Sequence, residues 1–186
     1  TDSLIFIAGS SWPADEDIFI DFFNNHSNIK LIIAPHEIDE SHLIEIEKKL
    51  NRSSIRYSSL IEEDQVNTDC LIIDCFGLLS SIYRYAAVGY IGGGFGEGIH
   101  NLPEAAVYGI PVIFGPNYLK FREAHDLIAK GGGFTINKKV EFNYIMELFI
   151  NNPEYRIKAG EIAKSYIFNN SGATGTILNN IFTMNC

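Results

Sequence analysis

Residues 71–94, LIIDCFGLLSSIYRYAAVGYIGGG, decide the fold. An apolar run without alternation, Leu71–Asp74, ends in the turn Cys75-Phe76-Gly77. Leu78, Ile82 and Tyr85 then fall at helical spacing, and a second apolar run, Val88–Ile91, leads into Gly92-Gly93-Gly94. Strands that are apolar throughout are buried on both faces, which is the condition of a parallel sheet covered by helices on each side.

The same alternation extends in both directions. Further strands are predicted at Leu4–Ala8, Ile29–Ala34, Ser54–Tyr57, Pro111–Phe114 and Phe134–Ile136. Helices are predicted at Asp15–Asn24, after an acidic start, and at Ser41–Leu50, where Leu43, Ile46 and Leu50 share a face. Another begins near Asn101, and Phe121, Ala124 and Ile128 mark one more. From about residue 140 the chain reads as helices, with breaks near Asn151-Asn152-Pro153 and at 169–172. The order describes an α/β domain with a doubly wound, Rossmann-like parallel sheet.

Composition fits one such domain. The 186 residues can bury one substantial core, and 46% apolar with 20% charged residues is ordinary for a globular protein. Fourteen Lys and Arg stand against 23 Asp and Glu, a net charge of −9. With no basic face concentrated anywhere, a nucleic-acid partner is excluded as the leading reading. Cys70, Cys75 and Cys186 form no C-x-x-C pair, which fits a reducing compartment, and Cys70 and Cys75 are expected to pack as small hydrophobes. No apolar run reaches the length of a membrane span, and the first residues lack the basic region of a signal peptide. The chain opens almost directly on a strand, so it is expected to be cut from a longer protein at a domain boundary.

In doubly wound sheets ligands bind beyond the carboxyl ends of the strands. The loops there are Gly9-Ser10-Ser11, Pro35-His36-Glu37, Cys75-Phe76-Gly77, Gly92-Gly93-Gly94 and Gly115-Pro116-Asn117. The glycine triplet either brings backbone N–H groups close to a phosphate or is a bare turn. Neither G-x-G-x-x-G nor a P-loop is present, which disfavours a dinucleotide enzyme or a kinase. Asn101 with Glu104 forms a capping-box spacing, yet a carboxylate there can equally accept bonds from the hydroxyls of a ribose. Phe76 is either a hydrophobic staple or a ring that stacks on a base. His36 is a polar group at a strand end, and His26, His42 and His125 lack metal-ligand spacing. Asp74 is expected to hydrogen-bond a neighbouring loop.

Taken together, residues 73–94 and GIHNLPEAAVYGIPVIFGPNYLKFREAHDLI, residues 98–128, resemble the C-terminal half of 3-deoxy-D-manno-octulosonic acid (Kdo) transferases. FIAGSSWPADEDIFI, residues 6–20, is similar to the entry strand of that family. The resemblance implies the donor-binding half of a GT-B glycosyltransferase, with residues 1–186 forming a nucleotide-sugar domain for CMP-Kdo. The implied reaction transfers Kdo with inversion to a lipid A precursor on the cytoplasmic face of the bacterial inner membrane. It requires no metal or other cofactor. The catalytic base, acceptor surface and membrane attachment would come from an N-terminal domain absent from this chain, so the isolated chain is expected to be inactive.

By that resemblance Pro35, His36 and the Phe76-Gly77-Leu78 turn flank the cytosine. Gly93, Gly94, His100 and Asn101 border the phosphate, Glu104 meets the ribose, and Gly9 and Ser10 line the cleft near the sugar. Two positions depart from the family pattern. Pro35-His36-Glu37 stands where Pro-Arg-His is common, and Gly94 stands where a serine is common. The final helix, with Ile177, Leu178, Ile181 and Phe182 on one face, is expected to cross to the other domain or to mediate contact between copies. Two other readings stay open. One is a GT-B donor domain for a UDP-sugar, although Glu97 and Glu104 miss the Glu-x7-Glu spacing of many retaining enzymes. The other is a non-catalytic, nucleotide-binding regulatory domain.

Overall fold

The computed structural model describes residues 3–60 and 67–171. The face proposed for residues 174–186 lies outside them. The strands are β1 (Leu4–Ser11), β2 (Ile29–Pro35), β3 (Ser54–Arg56), β4 (Cys70–Ile72), β5 (Val88–Ile91), β6 (Val112–Phe114) and β7 (Gly133–Thr135). The helices are α1 (Pro13–Asn24), α2 (Glu40–Lys49), α3 (Leu79–Ile82), α4 (Leu102–Ala106), α5 (Arg122–Lys130), α6 (Lys139–Asn151) and α7 (Pro153–Asn170). Every strand pairing is parallel, in the order β3-β4-β2-β1-β5-β6-β7. This is the doubly wound sheet that the apolar runs predict.

Alternation along each strand builds two cores. Phe6 and Ala8 of β1 join Phe19, Phe23, Leu43, Ile46, Phe142 and Phe149, placing α1, α2 and α6 on one face. Ile7 points the other way, toward Tyr83, Leu102, Ala105, Leu127 and Ala163, under α4, α5 and α7. The predicted break at Asn151-Asn152-Pro153 is real. The Asn152 side chain accepts the Tyr155 N–H at 3.0 Å, and Pro153 opens α7 where a missing N–H costs nothing. Among the described residues no helix is long and apolar enough to cross a membrane.

On one side of β1 the chain lays β2, then the edge strand β3, and returns to place β4 between them; it then crosses to β5 and fills the other side outward. β1 therefore has β2 on one flank and β5 on the other. The loops leaving β1 and β5 must diverge, and they leave a crevice at the carboxyl edge between them.

Candidate functional site

That crevice holds a cleft of about 510 Å³, lined by Trp12–Asp15 after β1, His36 after β2, and Gly93, Phe95–Gly98 and His100 after β5. A smaller cavity of about 220 Å³ adjoins it, lined by Ser10, Pro35, His36, Ile38, Cys75, Phe76, Gly77 and Leu79 among others. His36 belongs to both walls.

Two consecutive acids in the first turn of α1 hold the loops in place. Asp15 is fully buried and accepts three hydrogen bonds: from the Tyr90 hydroxyl at 2.8 Å, from Gly93 N–H at 2.9 Å and from Trp12 N–H at 3.0 Å. Burial pushes its carboxyl above the usual range, while those donors and the nearby His100 pull it back. Glu16, also fully buried, turns the other way. It accepts from Ser11 Oγ at 3.0 Å and from His42 Nε2 at 3.0 and 3.1 Å. His42 Nδ1 donates to the Glu37 carbonyl at 2.9 Å, and the Glu16 carboxylate at Nε2 favours the imidazolium form of the ring. Burial of the ring favours its neutral form, but the Glu16 charge and hydrogen bond outweigh it and raise the His42 pKa. Glu16 itself is raised by burial, against the pull of His42.

Close backbone contact shapes the glycine loop. Ser10 sits at φ +52° in a bulge where the β1–β2 register shifts, and its carbonyl lies against Gly92. A Cβ on Gly92 would stand 2.0 Å from that oxygen, so only glycine fits. On the far side a Cβ on Gly94 would stand 2.6 Å from Gly115. The departure from serine at Gly94 thus goes with a backbone contact in this chain. Asn117 completes the frame, donating its N–H to the Gly94 carbonyl at 2.9 Å and its side-chain amide to the Gly96 carbonyl at 2.7 Å.

Above this frame three rings meet. His36 stacks on Trp12, with centroids 4.7 Å apart, and on His100 at 4.3 Å. The Trp12 indole N–H donates to His100 Nε2 at 3.3 Å, which makes that nitrogen the bare one and the imidazole neutral. Burial, the neighbouring His36 and, against them, Asp15 set the His100 pKa below the usual value.

The structure gathers most of the residues picked from the sequence, with several displaced. Ser10, Pro35, His36, Phe76 and Gly77 line the smaller cavity, and Gly93 and His100 the larger one. Phe76 is 80% exposed, so it staples nothing. Gly9 lines neither cavity: a Cβ there would meet the Tyr83 hydroxyl, and the residue makes room for that ring. Leu78 is the N-cap residue of α3, and Leu79 lines the wall in its place. Gly94 is turned to Gly115. The Gly92 and Gly93 N–H groups are spent on the Gly9 carbonyl and Asp15, so neither is free for a ligand.

Asn101 and Glu104 lie outside both linings, joined by a 2.7 Å bond from the Asn101 amide to the Glu104 carboxylate. The reciprocal capping box is not formed, because Asn101 adopts ψ 85° and caps nothing with its side chain. Cys70 is buried as expected, whereas Cys75 is half-exposed in the smaller cavity. Asp74 does bind a neighbouring loop, through Ser58 N–H at 2.9 Å. Trp12, Asp15 and His42 were not legible as site-forming residues, although Trp12 and Asp15 follow directly on the selected Gly9-Ser10-Ser11 loop. Among the described residues no cluster of three or more His, Cys, Asp or Glu could hold a metal ion.

An all-parallel sheet with its cleft at the β1/β5 switch point is a doubly wound arrangement, and in fold it matches the C-terminal domains of GT-B glycosyltransferases. The C-terminal CMP-Kdo binding domain of WaaA from Acinetobacter baumannii superposes with a TM-score of 0.76 at 20% identity, over 90% of both chains. Anabaena HepE, in complex with UDP-glucose, superposes with a TM-score of 0.69 at 12% identity over 98% of this chain and 49% of its own. In sequence the chain is similar to the Kdo transferase of Aquifex aeolicus, 29% identical over 87% of this chain and 47% of that protein. The Kdo transferase of Chlamydophila psittaci is 28% identical over 90% of this chain and 39% of its own length. The chain thus spans less than half the length of these relatives. No family model matches it.

Proposed function

We propose that this chain is the donor-binding half of an inverting glycosyltransferase that takes Kdo from CMP-Kdo to a lipid A precursor in lipopolysaccharide synthesis. The observation that carries the reading is the similarity to Kdo transferases along nearly nine-tenths of the chain, in a fold whose cleft falls at the switch point. In this reading the base rests against Phe76 and Pro35 in the smaller cavity and the phosphate lies toward His100 in the larger one, while the ribose hydroxyls reach beyond both linings to Glu104. Glu104 can accept them, because its carboxylate is held in the first turn of α4 by one bond only, from Asn101. The acceptor, the catalytic base and attachment to the cytoplasmic face of the inner membrane belong to the remaining part of the enzyme in this proposal. The isolated chain accordingly turns over no donor.

Calorimetric titration with CMP, UMP and UDP-glucose tests the reading. Binding of CMP in preference to both uridine compounds supports it. Preference for UDP-glucose would favour the second reading, a UDP-sugar donor domain, which the superposition on the HepE complex makes the natural rival. Glu104→Gln should weaken CMP binding while leaving the unfolding midpoint nearly unchanged, since the carboxylate caps no helix here.

A further inference from the structure

A phosphate diester carries a negative charge at any physiological pH, and a protein usually meets it with Lys or Arg. This cleft does not. All fourteen Lys and Arg fall among the described residues, and none of them lines either cavity. Lys120 and Arg122 follow β6 outside both walls, and Arg56, at the end of β3, is bound by Glu40 and Glu47. The fixed charges that do face the cleft are negative: Asp15 beneath Gly93, and Glu97 on its rim.

Two side chains in the wall can become cations, and they are stacked on each other. His100 is kept neutral by the bond from Trp12. His36 differs: neither of its ring nitrogens has a hydrogen-bond partner among the described residues, and one of its faces rests on the indole. An imidazolium at His36 would gain a cation–π contact with Trp12 and keep two N–H donors for a ligand oxygen. Two charges on rings 4.3 Å apart repel, so the pair accommodates one proton, not two.

We propose that the His36–His100 pair supplies the positive charge for an anionic diester in the cleft, with His36 taking up a proton as the ligand enters. The assignment rests on the nucleotide-sugar reading above and moves His36 from the base to the phosphate. Affinity then rises as pH falls from 8 to 6, the range in which an imidazole changes charge. Other titratable groups around the pair are Asp15 from α1, which acts on His100, Glu37 next to His36 in the β2 loop, Cys75 after β4 and Glu97 after β5. The Glu16–His42 pair adjoins the same loop, through the His42 bond to the Glu37 carbonyl.

The test uses the methyl ester of CMP, a diester whose phosphate does not titrate between pH 6 and 8. Its binding to the 186-residue chain is measured calorimetrically at pH 6, 7 and 8 in two buffers of different ionisation enthalpy. The expected result is an affinity about fivefold to tenfold higher at pH 6 than at pH 8, with net proton uptake near pH 7. Cytidine, which lacks the phosphate, should show neither effect. His36→Gln should flatten the profile and abolish the uptake. Should that variant not fold, the ring C–H resonances of His36 in the parent chain give the same answer, titrating at higher pH with ligand than without. Diester binding that is flat with pH, or uptake that survives His36→Gln in a folded protein, overturns the inference and leaves the donor reading standing. No binding of CMP or its ester at any pH overturns both.

Discussion

The two flanks of β1 solve one problem by different chemistry. Each loop at the switch point must be held rigid over a cleft, and each is held by a buried carboxylate from the first turn of α1. On the β5 flank Asp15 binds a phenol and two backbone N–H groups, with no cation in its set of partners. On the β2 flank Glu16 binds a hydroxyl and an imidazolium. The first arrangement fixes a backbone path, through two main-chain N–H groups and a buried phenol. The second fixes one side chain against another and can adjust by moving a proton. The glycine loop is therefore the stiff wall of the cleft and the His36 loop the responsive one.

Asp15→Ala carries the largest expected effect. It leaves the Tyr90 hydroxyl and two N–H groups without partners under a closed roof, at about 1–3 kcal/mol for each that water cannot reach. The variant should lose about 4 kcal/mol in urea unfolding and bind CMP poorly, because the Gly93 turn is no longer held. A loss below about 1 kcal/mol would show that the anchor is dispensable.

Gly94→Ser probes the same wall from its other side. The new Cβ must displace the Gly115 backbone, an overpacking that costs about 3 kcal/mol. Full stability on thermal unfolding would mean the two loops are not locked together. A double variant that lets the Gly115 loop move away should recover part of the loss.

Glu16→Ala should cost somewhat less, about 3 kcal/mol, the low end for removing one partner of a buried pair. Without Glu16 the His42 ring can release its proton from Nε2 and become neutral, keeping its Nδ1–H bond to the Glu37 carbonyl. Denaturant unfolding of Glu16→Ala beside Asp15→Ala measures the difference between the two flanks directly. Equal losses would erase the distinction.

The frame was legible in sequence and the anchors were not, for a physical reason. Seven strands were read along the chain, most of them because burial on both faces writes unbroken apolar runs such as Ile29–Ala34 and Val88–Ile91; their order in the sheet, with β4 inserted between β3 and β2, was not. The site edge followed, since topology alone places those loops together. What failed depends on which way a side chain or N–H points. Gly9 and Gly93 look alike as loop glycines, yet one makes room for Tyr83 and the other donates to Asp15. Asp15 and Glu16 read as an acidic helix start, the ordinary helix-dipole preference, and nothing local reveals that both are buried. His42 carries no motif, because its partner lies 26 residues away. The stack of Trp12, His36 and His100 joins three loops and has no signature in any one of them.

The smallest effect concerns pH. The His42 pKa in the folded protein is raised, because the Glu16 carboxylate outweighs the burial that favours the neutral ring. The folded chain therefore keeps a proton that the unfolded chain releases above about pH 6.5. A group raised in this way contributes its stability fully below the unfolded value and loses it as pH climbs through the folded one. Glu16, whose pKa is also raised, adds to the same trend from lower pH upward. Unfolding free energy should thus decline between pH 6 and 8.5 by about 1 kcal/mol, the net worth of one hydrogen bond. His42→Gln should be less stable than the parent at pH 6 and closer to it at pH 8.5. Asp15→Ala should leave the slope nearly intact, since the buried ion pair lies on the other flank of β1. A slope that survives His42→Gln but vanishes in Asp15→Ala would place the proton-responsive group on the glycine-loop side and reverse the assignment of stiff and responsive walls.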